Sequence, residues 1–346
     1  MKQKRIVSAL LAAGMVMPLA AAAEWTVYGR AHLSADFLDD GADYSEFNIS
    51  SNSSRLGFRG EREFQPNLTG MFQIEQEIKF DGGTTQFATR DTFAGLKGDW
   101  GMFRVGEFDT PFKRARGPAN FFGDQVGDLR NVARTANNRY GRFDERFQNS
   151  LHYRTPNIGG FVWDVQYSPQ RSGSSTTEGG DEGGFSTSIG FRQGGLNLAL
   201  AYEKQFFDVD DDGNDLNDPD GFRLAASYRV IPALTVGAMY QVTEGTGGDE
   251  GTVYGIGGQY RINPQMFLNA HYFALDGDLD ETDASLFAFG LEYRVDSALR
   301  FYGNIAAVSN DDNSSLRPWA QGRTASPPGA AGETAQGISF GMRYDF

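Results

Sequence analysis

The segment Gly337 to Phe346 alternates without a break: Ile338, Phe340, Met342, Tyr344 and Phe346 fall on one side of an extended strand, and Gly337, Ser339, Gly341, Arg343 and Asp345 fall on the other. A period of two is the signature of a β-strand. One side is aromatic and aliphatic, the other carries both charges, and the sequence closes on the Phe. In lipid every backbone N–H and C=O must find a partner within the protein, so a strand of this kind needs a sheet closed on itself. The expected fold is therefore all-β: a transmembrane antiparallel β-barrel.

The same alternation recurs from Glu24 onward in about sixteen segments, near 25–37, 47–62, 67–80, 87–97, 101–108, 147–155, 160–168, 185–193, 195–206, 221–230, 233–243, 252–262, 265–275, 285–295, 298–308 and 337–346. In the first, Val27, Gly29, Ala31, Leu33, Ala35 and Phe37 point one way, and Tyr28, Arg30, His32, Ser34 and Asp36 the other. In 221–230, Phe222, Leu224, Ala226, Tyr228 and Val230 alternate with Arg223, Ala225, Ser227 and Arg229. The polar face has the composition of a water-filled lumen rather than a packed core. Short connections such as Gln193-Gly194-Gly195 and Val230-Ile231-Pro232 hold turn residues, and they alternate with long ones at 38–46, 81–86, 109–146, 169–184, 207–220, 244–251, 276–284 and 309–336. This asymmetry predicts short periplasmic turns, long extracellular loops, and both termini in the periplasm.

Lys2, Lys4 and Arg5, the apolar run Ile6–Leu19 and Ala21-Ala22-Ala23 predict a secretory signal peptide over 1–23, leaving 24–346 as one barrel domain. The run is too short to span a bilayer as a helix. There is no cysteine, which excludes disulfides, thiolate metal sites and a Cys nucleophile. Without the three basic residues of the signal, 28 basic residues stand against 45 acidic ones, a net −17. That balance argues against nucleic acid as a partner.

The first strands carry small or polar residues on the predicted outer face. Gly29, Ala31 and Ala35 are joined by Asn48, Ser50, Asn52 and Ser54 if strand two keeps the phase of Leu56 and Phe58, and by Asp91 beside Phe93. Small and polar outward residues suit another barrel better than lipid. Self-association through this side is expected, most simply as a homotrimer; a bulge that shifts the phase is the alternative.

The third long loop, 109–146, is long enough to expect a function. If it folds inward, it narrows the lumen and sets Asp124 and Asp128 against inward bases of the wall, among them Arg30, Arg55, Arg59, Arg90, Arg104 and Arg154. Opposed charge rows across a narrow hole create a transverse field that favours small polar solutes.

At this point the residues resemble a known family, the general, non-specific porins of Gram-negative outer membranes, and within it the branch common in proteobacteria other than the enterics. The likeness is carried, in order, by Val27-Tyr28-Gly29-Arg30, Ser53-Ser54-Arg55-Leu56-Gly57-Phe58-Arg59-Gly60, Arg90-Asp91-Thr92-Phe93-Ala94-Gly95-Leu96, Phe103-Arg104-Val105-Gly106-Glu107 and the terminal Phe346. The resemblance implies a 16-stranded trimeric barrel whose third loop folds into the pore. It implies Arg30, Arg55 and Arg90 as the basic wall of the constriction, with Arg146 as a fourth, and Asp124 and Asp128 as the acidic loop side. It also implies that the assembly machinery reads Phe346 at the periplasmic rim; the alternation of the last strand places Arg343 and Asp345 in the lower vestibule, away from the constriction. The loop departs from the enteric members, reading Phe121-Phe122-Gly123-Asp124-Gln125-Val126-Gly127-Asp128 in place of their Pro-Glu-Phe-Gly-Gly run.

The functional expectation is an outer-membrane channel for passive diffusion of small hydrophilic solutes and ions, with no cofactor and no enzymatic role. The alternative is a channel selective for a sugar, phosphate or acidic nutrient; the inward faces mix both signs, with Arg223 and Arg229 against Glu75, Glu77 and Glu203. A weak cation preference is expected, set by charges beside the hole, because the Debye length of about 8 Å screens distant loop charge. Asp208, Asp210 and Asp212 with Gly213 resemble half a calcium loop, a weak metal candidate, but Pro219 stands where the closing Glu belongs. His32, His152 and His271 lie on distant strands and form no metal or acid–base group.

Overall fold

A computed structural model describes residues 24–82, 87–134, 139–172, 183–207, 217–319 and 326–346. The predicted signal peptide, residues 1–23, and the calcium candidate Asp208, Asp210 and Asp212 lie outside the described residues. The described residues form one antiparallel sheet of seventeen strand segments: β1 (Glu24–Asp39), β2 (Ser45–Ser51), β3 (Arg55–Gln65), β4 (Leu68–Glu77), β5 (Thr92–Gly98), β6 (Gly101–Asp109), β7 (Arg146–Arg154), β8 (Phe161–Ser168), β9 (Gly184–Gln193), β10 (Leu196–Gln205), β11 (Asp220–Ile231), β12 (Leu234–Glu244), β13 (Glu250–Arg261), β14 (Met266–Gly277), β15 (Ala284–Arg294), β16 (Leu299–Asn310) and β17 (Thr334–Asp345). β2 and β3 are halves of one strand, since both pair with β1, through Leu33–Asp39 and Glu24–Arg30 respectively. Sixteen strands result, and each pairs with its neighbours in sequence. β17 closes the ring on β1, with Arg30 opposite Asp345 and Phe37 opposite Ile338. The edges that lipid would not tolerate are thereby paired.

The alternation read from sequence is the wall's two faces. Phe222, Leu224, Tyr228, Tyr240, Tyr254, Ile256, Phe287 and Phe340 stand exposed outside, whereas Arg223, Ala225, Gln241, Val253 and Ser339 are buried within. No helix among the described residues is long and apolar enough to cross a membrane; the strands do so. The tight turn between β9 and β10 places Gly194 and Gly195 at φ +59° and +92°, the paired left-handed conformation that a two-residue hairpin needs and glycine supplies at least cost.

Two outward assignments are corrected. Between β2 and β3 the phase switches: Phe47 and Ile49 are exposed on one side of the break, and Phe58 on the other. Ser50, Asn52 and Ser54 are buried. The break is stitched to β1, since the Ser54 hydroxyl accepts from His32 N–H (2.9 Å) and donates to His32 C=O (3.0 Å), and Asn52 Nδ2 donates to Ser34 Oγ (2.8 Å). Ser53 takes φ +55° at the switch. Asp91 likewise faces inward. Ala94 and Leu96 form the outer face of β5, and Phe93 lies inside, edge-on to Phe108 at 6.0 Å.

The segment between β6 and β7 folds into the barrel. It opens with a helical turn, Pro111–Ala115, capped by Thr110 Oγ1 accepting from Lys113 N–H (3.1 Å), and continues through a 3-10 turn, Gly117–Ala119, and a short helix, Arg130–Ala133. Phe122, Val126, Leu129 and Val132 are fully buried with inward residues of the wall, among them Ala225, Met239, Phe273, Leu286, Ala288 and Val308. Phe112 and Phe143 form a second apolar contact against Ala201. Burying one such side chain stabilises by about 1.5–3 kcal/mol, so this apolar plug is what holds the segment inside. Trp319, fully buried, extends the plug to the last long loop, where Gly127 N–H donates to Pro318 C=O (2.6 Å).

Candidate functional site

The inner wall and the inserted segment meet at charged side chains. Arg30 on β1 is cross-strand neighbour of Arg55 on β3, two like charges that repel in isolation. Asp124 lies between them, its Oδ2 3.7 Å from Arg30 Nη1 and 3.6 Å from Arg55 Nη2. These are ion-pair distances rather than hydrogen bonds, so both guanidiniums keep donors for a passing anion. Behind them, Glu75 Oε1 accepts from Arg90 Nε (2.5 Å) and lies 3.5 Å from Arg55 Nη1, and Glu75 Oε2 accepts from the Tyr28 hydroxyl (2.9 Å). Arg30, Arg55, Arg90 and Asp124 thus come together as one group.

Asp124 owes its position to the loop backbone. It stands at φ +62°, a left-handed conformation that aspartate tolerates better than most side chains. Its N–H donates to Asp128 Oδ2 (2.8 Å), while Asp128 Oδ1 accepts from Arg130 N–H (2.9 Å). Asp128, with 1% of its surface exposed, is therefore spent on the loop's own backbone and does not face the arginines. Of the two acids expected on the loop side, one faces the wall and the other shapes the loop. Their titration divides the same way. Burial works to raise Asp124, but Arg55, Arg90, His32 and Arg30 outweigh it and hold the carboxyl well below the usual range. Burial, unopposed to that degree, leaves Asp128 raised.

Arg146 belongs to a neighbouring group. Its Nε donates to Asp91 Oδ1 (2.8 Å) and its Nη2 lies 2.9 Å from Asp109 Oδ1, which also pairs with Lys113 Nζ (2.7 Å). Two carboxylates against two cations leave this group balanced, and the inward turn of Asp91 is what balances it.

The terminal strand is closer to the site than expected. Asp345 Oδ1 accepts from Arg30 Nε (2.6 Å), and Asp345 Oδ2 from Arg343 Nε (2.9 Å). Arg30 therefore bridges the closing strand and the loop acid, instead of lying remote from Asp345. Register explains it, since Arg30 and Asp345 are direct cross-strand partners and Gly29 exchanges both backbone bonds with Phe346.

The base of the inserted segment is tied by a fully buried ion pair. Arg223 Nη1 on β11 donates to Asp144 Oδ1 (2.6 Å) and to Phe112 C=O (2.8 Å), and Arg116 Nη1 binds Asp144 Oδ2 (3.0 Å). Burial would raise Asp144, but Arg223, Arg116 and Arg130 bring it below its ordinary value. The alternation marks Arg223 as inward but not as an anchor, because its partner lies 79 residues away. The three histidines stay apart: His32 Nε2 meets the Tyr302 hydroxyl (2.9 Å), His152 Nε2 meets Asp164 Oδ1 (2.7 Å), and His271 packs edge-on to Phe122.

A family model for Gram-negative porins matches residues 8–313. Outer membrane porin protein 32 of Delftia acidovorans is 28% identical over 363 residues, covering 100% of each chain. Major outer membrane protein P.IB of Neisseria gonorrhoeae is 27% identical over 186 residues, 51% of each chain. Among solved structures, the anion-selective porin from Comamonas acidovorans aligns with a TM-score of 0.81 at 23% identity, covering 94% of this chain and 100% of that one. The in-vitro folded OmpT of Vibrio cholerae, in its trimer form, aligns with a TM-score of 0.67 at 18% identity, covering 94% and 100%.

Proposed function

The chain belongs to the Gram-negative porin family and forms a β-barrel channel of the outer membrane, and we propose that it is a general diffusion pore whose narrowest level is the Arg30–Arg55–Arg90 wall facing Asp124. The observation that carries this reading is the ion-pair geometry at Asp124: one loop carboxylate held between two wall guanidiniums that keep free donors. Small hydrophilic solutes replace part of their hydration there by hydrogen bonds to fixed charges, while apolar solutes lose hydration without return. No bond is made or broken in passage, and the relatives compared are channel proteins, not enzymes.

The preference we propose is for anions. From Arg104 to Arg154 the chain holds ten basic residues and six acidic ones, the reverse of its overall balance. Charges more than about 8 Å from the hole are largely screened at physiological salt, so the wall arginines beside it outweigh the distant acid. The anion selectivity named for the Comamonas porin supports the same sign. Arg55→Ala combined with Arg90→Ala should shift the reversal potential in a salt gradient toward cations. One charge about 4 Å from a passing ion is worth ~1 kcal/mol in water, or about fivefold in permeability ratio per charge removed. An unchanged reversal potential removes both arginines from the site.

A homotrimer is the assembly we propose. Of the small outward residues of β1, Ala35 lines an apolar depression together with Leu33, Ile49, Phe301, Phe340 and Met342. The trimer form named for the Vibrio protein is consistent with it. Detergent-extracted protein with the mass of a single barrel would refute the trimer. Phe346 as the assembly signal and removal of residues 1–23 complete the proposal; deletion of Phe346 should lower the yield of folded barrel, and the mature protein should begin at Glu24.

A further inference from the structure

On the short-turn side of the inserted segment, the inner faces of β6, β7 and β8 carry a cationic group apart from the Asp124 site. Arg104 is 94% buried, its guanidinium over Phe108 at 3.9 Å and Phe93 at 4.6 Å. Its Nε donates to His152 Nδ1 (3.2 Å), which fixes the proton of His152 on Nε2, facing Asp164. The imidazole is thus neutral and brings no countercharge. Asp164 is bound through both oxygens by Arg154, at 2.8 and 3.1 Å. Arg114 reaches toward the same group from the helical turn Pro111–Ala115. Asp164 and Arg154 are the charges that act most strongly on it.

The three arginines face Asp164, which Arg154 already occupies, while Asp91 and Asp109, the other carboxylates that act on Arg104 and Arg114, are held by Arg146 and Lys113. Among the described residues neither Arg104 nor Arg114 has a carboxylate within ion-pair distance. Nε and Nη2 of Arg114 are shielded from solvent and have no hydrogen-bond partner. Shielded guanidinium donors left unmatched beside a second cation are unfavourable, and such groups in native proteins are commonly met by an ion or an ordered water. Arg154, with 39% of its side chain exposed, leaves the group open to the lumen.

We propose that Arg104 and Arg114, backed by Arg154, form a second anion-binding step that takes a small oxyanion of carboxylate or phosphate chemistry. Planar guanidiniums match such oxygens with paired N–H donors. An anion that has passed the Asp124 level is then received by a second cationic site before the short-turn mouth, and two sites in series let binding and release alternate. The inference rests on the diffusion-pore reading above.

The test is single-channel recording with inorganic phosphate added to a chloride solution from the short-turn side. Phosphate should reduce the chloride current of the wild type. Loss of a charged hydrogen-bonding partner in Arg114→Gln should raise the half-effective concentration about tenfold or more, and Arg114→Lys should recover part of that loss. Equal half-effective concentrations in wild type and Arg114→Gln would overturn the site. Because the glutamine variant can disturb the loop, a second measurement uses the wild type alone: crystals soaked in bromide should show anomalous density between Arg104 and Arg114. Empty density there at a bromide concentration that saturates conductance would also overturn it. A wild type that opens no channel at all would refute the diffusion reading, whereas an open channel indifferent to phosphate refutes only this inference.

Discussion

The outer loop 276–283 and the inner segment 104–154 use carboxylates in opposite ways. The loop holds Asp276, Asp278, Asp280, Glu281 and Asp283 and no basic residue. Asp278 accepts from Glu250 N–H (2.9 Å) and Asp283 from Gly277 N–H (3.0 Å), so these acids shape a turn and, among the described residues, meet no guanidinium. In the inner segment Asp109, Asp124, Asp144 and Glu145 each meet at least one arginine or lysine. One region supplies acid to its own backbone and to solvent; the other, Asp128 apart, binds acid into a basic framework. The chain's net charge of −14 is thus a poor guide to the field inside the hole.

The strongest way to break this contrast is to make the same substitution in both regions. Asp144→Ala leaves Arg223 buried and unpaired, which costs about 3–5 kcal/mol. The inserted segment should lose its tie to β11, with a lower temperature of barrel unfolding and a larger, noisier single-channel conductance. Asp278→Ala removes an acid from the outer loop and should change stability by no more than about 0.5 kcal/mol. Equal losses in the two variants would mean that the buried pair is not an anchor.

A smaller effect is expected at Asp124. Asp124→Asn removes the loop acid that lies between Arg30 and Arg55 and should move the reversal potential further toward anions, about fivefold in permeability ratio. The pH dependence has a defined sign. The folded carboxyl sits below its unfolded value, so its contribution to stability is complete above the ordinary aspartate range, near pH 4, and is lost as pH falls through the depressed folded value. Wild type and Asp124→Asn should therefore differ at about pH 4 as much as at pH 7. A difference that collapses by pH 4 would show that the arginines do not hold Asp124 charged.

How much of this was legible in sequence follows from what each side chain can signal. Wall strands were legible because lipid demands apolar side chains at every second position, as in Phe222, Leu224 and Tyr228. The β2–β3 phase switch was legible only as an alternative, because Asn52-Ser53-Ser54 carries no aromatic to mark either face. Asp91 was misplaced because Phe93 reads as lipid-facing, although it packs inside near Arg104. Asp124 and Asp128 look equivalent four residues apart, and only the backbone turn at φ +62° decides which one faces the wall. Asp345 was legible as inward, but its tie to Arg30 depends on the closing register, a pairing across 315 residues.

The finest test asks whether the outer acids reach the hole at all. Asp280 and Glu281 are exposed at the loop tip, and among the described residues neither side chain caps a backbone N–H in the way of Asp278 and Asp283. Asp280→Asn with Glu281→Gln should leave the reversal potential unchanged at about 0.15 M salt, where charge is screened over about 8 Å. At about 0.01 M the screening length grows to about 30 Å, and removing two outer negative charges should then shift selectivity slightly toward anions. Salt dependence is the diagnostic, because a charge at the narrow level acts on a passing ion through fewer screening ions than one at the rim. A shift at 0.15 M as large as that of Asp124→Asn would place control of selectivity at the acidic rim and remove it from the arginine wall.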